Sequence, residues 1–569
     1  MEKARQSKAL CTMKSAALAV LAYHEASKHH MQRYAPGPAF LDWDTQPDPF
    51  RRYPGAALIE LELHEQPPEA CTYDQLYRGA ARTVQSLSAP NLGLWLELAF
   101  GLSAWKSNGV ERWALRNNPS SGNLHPTEAY LLLWRSVADD LPPGLYHYAP
   151  HEHALERRAL LSAECAAKLC ATHPGSFGAL GLSSILWREA WKYGARAYRY
   201  VQLDVGHALA GARIAAQVLG WTLRLDACAA DDAIAACLGL DRDADFVQAE
   251  REEGDLLALL GTSEMSDTPQ VDWDDVARSL GVWAGRANPL SRERQEWPQI
   301  SQLSPAVRKP ATPPPMPPVR PPHGDWLADA PPLDACRLIR QRRSAQRMDP
   351  QAHMPLPSFD RLLQSCIPTA QCPPFDTLPY PPALHLLLFV HAIDDLQAGL
   401  YLLPRHPAQL ASLQQHSDPS LQWIRNAQTQ AALYQLRAPL DLRRDAAHLS
   451  CHQGIAGHGV FSLAMLADLS GALENEGAWV YRRLYWEAGM IGQQLYLHAE
   501  ALGLQGTGIG CFFDDEVLRS VGMQPTGAWQ VLYHFTVGRA IQDSRLQSAP
   551  AYSHLSGRGR SEPSASTRT

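Results

Sequence analysis

The sequence predicts an α+β protein built from two copies of one domain, and three features predict it. Shifting the chain on itself by 283 positions aligns GARAYRYVQLDVGH, from Gly194, with GAWVYRRLYWEAGM, from Gly477, without a gap. Twelve of the 46 positions from Gly194 to Gly239 are then identical, among them Arg199/Arg482, Gly206/Gly489, Gly220/Gly503, Cys228/Cys511 and Asp231/Asp514, too many for chance. A shift of 255 lays the apolar run Ala129 to Trp134 on Leu384 to Phe389 and the GLY turn at Gly144 on that at Gly399. Between the copies, eight of the thirteen residues from Pro310 to Pro322 are proline, which cannot donate to a helix or a sheet ladder and so makes an extended linker. Internal self-similarity of this kind marks a duplicated domain.

The elements follow in order. Residues 1–70 form an N-terminal helical extension, in which Ala16 to Tyr23 is an amphipathic helix that runs into His24 and Glu25, too short and too polar for a signal-peptide core. Residues 71–265 are the first copy: helices, a buried strand, a turn into a second strand, a long helix, a last strand. In the long helix Ala208, Ala212, Ala215, Ala216 and Leu219 recur at helical spacing, and Leu219-Gly220 ends it as a C-cap does. Residues 266–333 read as linker, 334–542 as the second copy with its long helix from about Tyr481 to Leu502, and 543–569, rich in Ser, Arg, Gly and Pro, as a disordered tail. Strands and helices mix without strict βαβ alternation, hence α+β.

Composition narrows the function. Lys plus Arg is 51 against 58 Asp plus Glu, a net charge of −7, which argues against nucleic acid as a partner. No segment is apolar for the ~20 residues a membrane span needs. Eleven cysteines without a CxxC pair point to a reduced, cytoplasmic setting. His24, His29 and His30 do not share one helix face, so no metal is expected.

Four segments can carry chemistry. In RNNPSSGNLHPTEAYLLL (Arg116 to Leu133), Pro119, Ser120, Ser121, Gly122 and Asn123 make a polar turn ahead of a buried strand, able to meet a flat polar ligand. In IRQRRSAQRMDP (Ile339 to Pro350), Arg342, Arg343 and Ser344, with Arg347 behind, suit a terminal phosphate. In GLQGTGIGCFFDDE (Gly503 to Glu516), Gly508 and Gly510 let backbone approach a planar ring. The strand VLYHFTVGRA ends in Gly538-Arg539, a further cation. Each taken alone is equally compatible with an ordinary turn or a solvated basic cluster.

Together these segments resemble the nitroreductase-like flavoprotein superfamily, and within it the SagB/ThcOx azoline dehydrogenases. RNNPSSGNLHPTEAY is similar to that family's R-x-x-P-S-[SG]-G-x-x-x-P-x-E-x-Y segment, and KYGARAYRYVQLDVGH to its K-Y-x-x-R-x-Y-R-x-x-x-x-[DE]-x-G-H segment. RRSAQR and TVGR resemble the superfamily's phosphate motifs; Gln346 departs from the usual basic residue, so the phosphate is expected to lean on Arg347 or Arg539. The resemblance spans about Thr72 to Arg539 and implies two nitroreductase-like domains forming an intrachain pseudo-dimer. It implies FMN bound by Pro119, Ser120, Ser121, Asn123, Arg342, Arg343, Ser344, Arg347, Gly508, Gly510 and Arg539, with Lys192 and Tyr193 in catalysis as base and proton relay. The activity implied is hydride transfer to flavin N5 from a thiazoline or oxazoline in a modified peptide, in company with a biosynthetic partner. Two alternatives stand beside it: an NAD(P)H-dependent nitro or quinone reductase, and a flavin-free scaffold that binds a peptide or partner.

The two copies have lost different parts. The second has Pro374, Phe375, Asp376 and Thr377 in place of the Pro-Ser-Ser-Gly turn, and Asn475 and Glu476 in place of Lys192 and Tyr193. The first lacks an RRS, reads LRLDACAADD at the glycine turn and ends LALLGTS without Gly-Arg. One intact FMN site and one vestigial site are expected.

Overall fold

In the computed structural model, the residues described are 2–78, 82–262, 265, 270–322, 324, 326–327, 331–555 and 557, with backbone alone for 2–13. Two antiparallel sheets organise them. The first runs, in spatial order, Ala57–Glu60, Ala154–Leu161, Gly144–Ala149, Thr127–Leu133, Ser176–Ser184, Glu253–Gly261 and Thr222–Leu225, with Leu280–Gly281 also paired to Ala154–Leu161. The second runs Ile424–Arg425, Tyr434–Arg437, Gly399–Leu403, Leu384–Val390, Phe461–Asp468, Trp529–Gly538 and Gln505–Ile509. Thr127–Leu133 and Leu384–Val390 sit at matching places, as the 255 shift requires. Their residues are buried on both faces, so the strands read as continuous Leu-rich runs.

The long helices Ala197–Val218 and Val480–Ala501 are related by the shift of 283 and pack directly on each other. Gly206 and Gly489 mark the crossing. A Cβ on Gly206 would stand 2.2 Å from the Trp486 carbonyl oxygen, and one on Gly489 2.1 Å from that of Leu203. Ion pairs across the crossing are reciprocal. Arg199 pairs with Asp514, and its counterpart Arg482 pairs with Asp231 through two contacts of 2.8 Å. Residue i meeting j′ while i′ meets j is the pattern of a two-fold related interface.

Several expectations about the connecting segments are corrected. The first 70 residues are not wholly helical: a helix spans Glu2–Ala26, but Ala57–Glu60 joins the first sheet. The region 266–333 is not all linker, because the helix Trp273–Arg278 and the strand Leu280–Gly281 pack on the first body and Pro298–Ala306 packs on the N-terminal helix. The proline stretch has no regular structure, and its Met316 and Val319 are exposed. Nor is the tail disordered from residue 543. Gln547–Ala549 pairs with the edge strand Leu102–Ser107, and the buried Tyr552 takes the Leu102 N–H at 2.9 Å. An exposed strand edge recruits any segment able to pair with it, which composition does not reveal. Residues 556 and 558–569 lie outside the described residues.

Candidate active site

The Pro119–Asn123 turn lies between the strands Arg112–Arg116 and Thr127–Leu133 of the first body. It is held by its own polar groups: Ser120 Oγ accepts the His125 N–H at 2.8 Å and Asn123 Nδ2 donates to Ala114 O at 2.8 Å. Gly122 has φ +60°, and a Cβ there would meet Tyr193 Oη at 2.7 Å and Lys192 Nζ at 3.2 Å, so glycine is required for both conformation and space. The turn is thereby set against the end of the helix Leu186–Tyr193.

Into this turn reaches the start of the second body. Arg342 Nε donates to Asn117 O and its Nη2 to Arg116 O, both at 3.1 Å, so the guanidinium clamps the chain just ahead of Pro119. Arg343 donates to Ser103 O at 2.9 Å. Ser344 Oγ donates to Tyr496 Oη at 3.0 Å, which also accepts the Gly508 N–H at 2.9 Å, tying the serine to the strand Gln505–Ile509. Pro119, Ser120 and Asn123 of the first body and Arg342, Arg343 and Ser344 of the second line one cavity of about 650 Å³. That volume falls within the range of small-molecule and cofactor sites.

Its wall is cationic. Burial and the neighbouring Arg342 push Arg343 down to about 10, burial lowers Arg342, and burial and Arg343 lower Lys106. Among the described residues none of the three forms an ion pair, and buried Asn118 Oδ1 and His125 Nδ1 on the same wall have no hydrogen-bond partner. Glu500 offsets Arg342 and Arg343 in part and Asp543 also lines the cavity, but crowded cations that form no ion pair, beside unsatisfied polar atoms, fit a phosphate-bearing polar ligand.

Behind the turn lies a pair of buried acids. Ser120 Oγ approaches Glu189 Oε1 at 3.5 Å, and the Ser121 N–H donates to Asp204 Oδ1 at 3.3 Å. Burial first, and then repulsion by Asp204, holds Glu189 well above the usual carboxyl range; burial likewise raises Asp204. The two carboxyls therefore retain protons that exposed acids would have lost. Glu189 Oε2 is buried without a partner among the described residues. Lys192 Nζ lies 5.5 Å from the Tyr193 ring centroid, and burial, then Glu189, raises the Tyr193 phenol well above its ordinary range, so it keeps its proton.

The other sequence-derived candidates fall differently. Arg347 is exposed and Arg539 is 61% exposed, 3.8 Å from Asp349; neither lines the cavity, because the chain turns outward after Ser344 and after Gly538. Ser121 does not line the cavity; its backbone N–H donates to Asp204. The rings that Gly508 and Gly510 admit belong to the protein: added Cβ atoms would stand 1.8 Å from Tyr533 Oη and 2.3 Å from Tyr200 Cε1. Sequence reasoning missed Lys106, Glu189 and Tyr496. Asp204 stood in the K-Y segment without a role, and the only signal for Glu189 was a carboxylate three residues ahead of Lys192 on one helix. At the second copy's counterpart of the turn, Asp376 is filled in by Arg213 (2.8 Å) and Arg224 (3.0 Å), a buried ion triad where the first copy has serines. Glu25, His30 and Asp515 also gather, but Lys28 bridges the two carboxylates at 2.9 and 3.0 Å and supplies the cation itself.

Comparison with known proteins agrees with this architecture. Residues 339–539 match the nitroreductase family. A putative nitroreductase from Anabaena variabilis superposes with a TM-score of 0.64 at 21% identity, covering 92% of this chain and 99% of that one, so both bodies share its fold. The trifolitoxin-processing protein TfxB of Rhizobium leguminosarum bv. trifolii is 28% identical over 138 residues, 22% of this chain; the match spans only 37% of that protein. The Escherichia coli microcin synthetase McbBCD, solved with truncated pro-MccB17 bound, overlaps 35% of this chain and 70% of its own at 22% identity and a TM-score of 0.25. Among the described residues no helix is long and apolar enough to cross a membrane. The second body thus carries a nitroreductase family domain, and the fold of the Anabaena protein extends along the chain.

Proposed function

We propose that the chain is an FMN-dependent dehydrogenase that oxidises a thiazoline or oxazoline in a modified peptide to the aromatic azole. One observation carries this reading: the serine turn of the first body and the Arg342–Arg343–Ser344 segment of the second, each absent from the other copy, line a single cavity. Arg342, Arg343 and Lys106 would hold the phosphate, with Ser120, Asn123 and Ser344 along the polar wall. Bound there, FMN supplies a two-electron acceptor. The chain's own residues handle the proton. Lys192, at the turn's far side, is the base; Tyr193, whose burial keeps its hydroxyl intact, is a relay and donor; the Glu189–Asp204 pair stores a proton beneath the turn. The reciprocal ion pairs and the Gly206/Gly489 crossing support an intrachain pseudo-dimer, and the triad around Asp376 supports a second site closed by protein. A relative described as processing a peptide toxin favours a peptide substrate.

The test is the visible spectrum and flavin content of the purified chain, followed by turnover of an azoline-bearing peptide. One FMN per chain is expected. Turnover should fall on the order of 100-fold or more in Lys192→Ala and in Tyr193→Phe. Two flavins, or a colourless protein after FMN addition, or full turnover in both variants, would remove the reading. Rapid bleaching by NADPH without peptide turnover would replace it with a nitro or quinone reductase.

A further inference from the structure

Three buried polar atoms of residues that line the cavity have no partner among the described residues: Arg116 Nε, Asn118 Oδ1 and His125 Nδ1. The first is a donor, like the other arginine and lysine groups of that wall. Asn118 Oδ1 and, as its partners show, His125 Nδ1 are acceptors set among donors, and the hydrogen bonds around His125 fix which of its atoms is left over.

Every other polar group of His125 is engaged. Its N–H donates to Ser120 Oγ at 2.8 Å, and its carbonyl oxygen accepts from Arg188 Nη1 at 2.7 Å. Its Nε2 lies 3.0 Å from Asn123 Oδ1. Asn123 Nδ2 donates to Ala114 O at 2.8 Å, so Oδ1 is the accepting end and the histidine proton sits on Nε2. Nδ1 therefore carries a lone pair. Burial, and then Arg116, Arg188 and Arg342, hold the ring well below its ordinary range and so oppose a second proton. The residue is 4% exposed, and its φ of +51° lies in the left-handed region that side chains seldom adopt. A buried acceptor held in this way costs free energy until a donor meets it.

A hydroxyl answers this need and a phosphate does not. Phosphate oxygens accept, which suits Arg342, Arg343 and Lys106 but leaves Nδ1 unmet. Arg342 clamps the chain at Arg116 O and Asn117 O, and its charge and that of Arg116 act on the His125 ring. His125 thus belongs to the cationic end of the cavity, beside the groups suited to phosphate. A hydroxyl both donates and accepts, so a polyol there also serves Arg116 Nε and Asn118 Oδ1. We propose that His125 Nδ1 accepts a hydrogen bond from a hydroxyl on the chain that joins ring to phosphate in the bound flavin. The histidine then selects a polyol-bearing flavin phosphate over one with a plain alkyl chain. This rests on the FMN reading and adds to it the residue that recognises the sugar-alcohol chain.

The test titrates the full chain, freed of flavin, with FMN and with a flavin phosphate whose ribityl chain is replaced by plain pentyl, reading flavin fluorescence. The wild type should bind FMN on the order of ten-fold more tightly than the pentyl analogue. His125→Phe should lose that preference, binding FMN on the order of ten-fold less tightly while holding the analogue as the wild type does. His125→Asn, which keeps an acceptor near the Nδ1 position and tolerates positive φ, should recover most of it. A loss of equal size for both flavins in His125→Phe, or a wild type that binds the two alike, would overturn the proposal; the second arm needs no variant to fold. Selective loss of FMN supports it whether or not an azoline peptide is turned over. A wild type that takes neither flavin removes it together with the FMN reading.

Discussion

Asp204 sits beneath the Pro119–Asn123 turn, taking the Ser121 N–H, and burial raises its carboxyl up to about 8. An exposed aspartate in the unfolded chain titrates near ~3.9. The folded state thus holds the proton more tightly, and the stability this contributes is full below about pH 4 and lost as the pH rises through about 8. Asp204→Asn removes the ionisation: denaturant titrations at pH 5, 7 and 8.5 should show the variant gaining on the wild type as the pH rises. A constant difference would mean that Asp204 is ionised in the folded protein. The roles of single residues were only partly legible in the sequence. Lys192, Tyr193, Ser120 and the arginine pair were named by pattern, because each sits in a short motif of neighbouring residues. Glu189 and Lys106 were not, since their significance comes from what folds against them.

At the scale of elements, the two long helices decide how the bodies meet. The alignment by 283 positions identifies both helices and the Gly206/Gly489 identity, but only the crossing explains the glycines: a methyl group at either would overlap a carbonyl oxygen of the facing helix. Gly206→Val should cost about 3 kcal/mol or more, as overpacked contacts with rigid backbone do, and should lower the thermal midpoint of the whole chain. A variant that melts like the wild type would mean that the helices have room to part. The strands were legible too, as apolar runs. The short pairing of Gln547–Ala549 with the edge of Leu102–Ser107 was not, because three residues carry no periodic signal.

At the scale of the whole molecule, one cavity takes its walls from both bodies and from the returning C-terminal segment, whose Ala540 to Ser544, Leu546 and Ser548 line it. Ending the chain at Gln542 should therefore weaken flavin retention while leaving the two sheets folded. Flavin released on dilution, read by fluorescence, together with circular dichroism checks this. Retention equal to the full chain would show that the segment is not part of the binding wall.

By itself, the sequence determined the duplication, the α+β class, the strand and helix order and the complementary losses, since local periodicity and internal identity are written along the chain. The tertiary structure alone decided that Arg347 and Arg539 stay at the surface, that Asp376 is occupied by Arg213 and Arg224, and that Glu189 and Asp204 share a buried setting. Burial and the charge of distant neighbours set the chemistry of those groups, and both are properties of packing between segments rather than of any segment read alone.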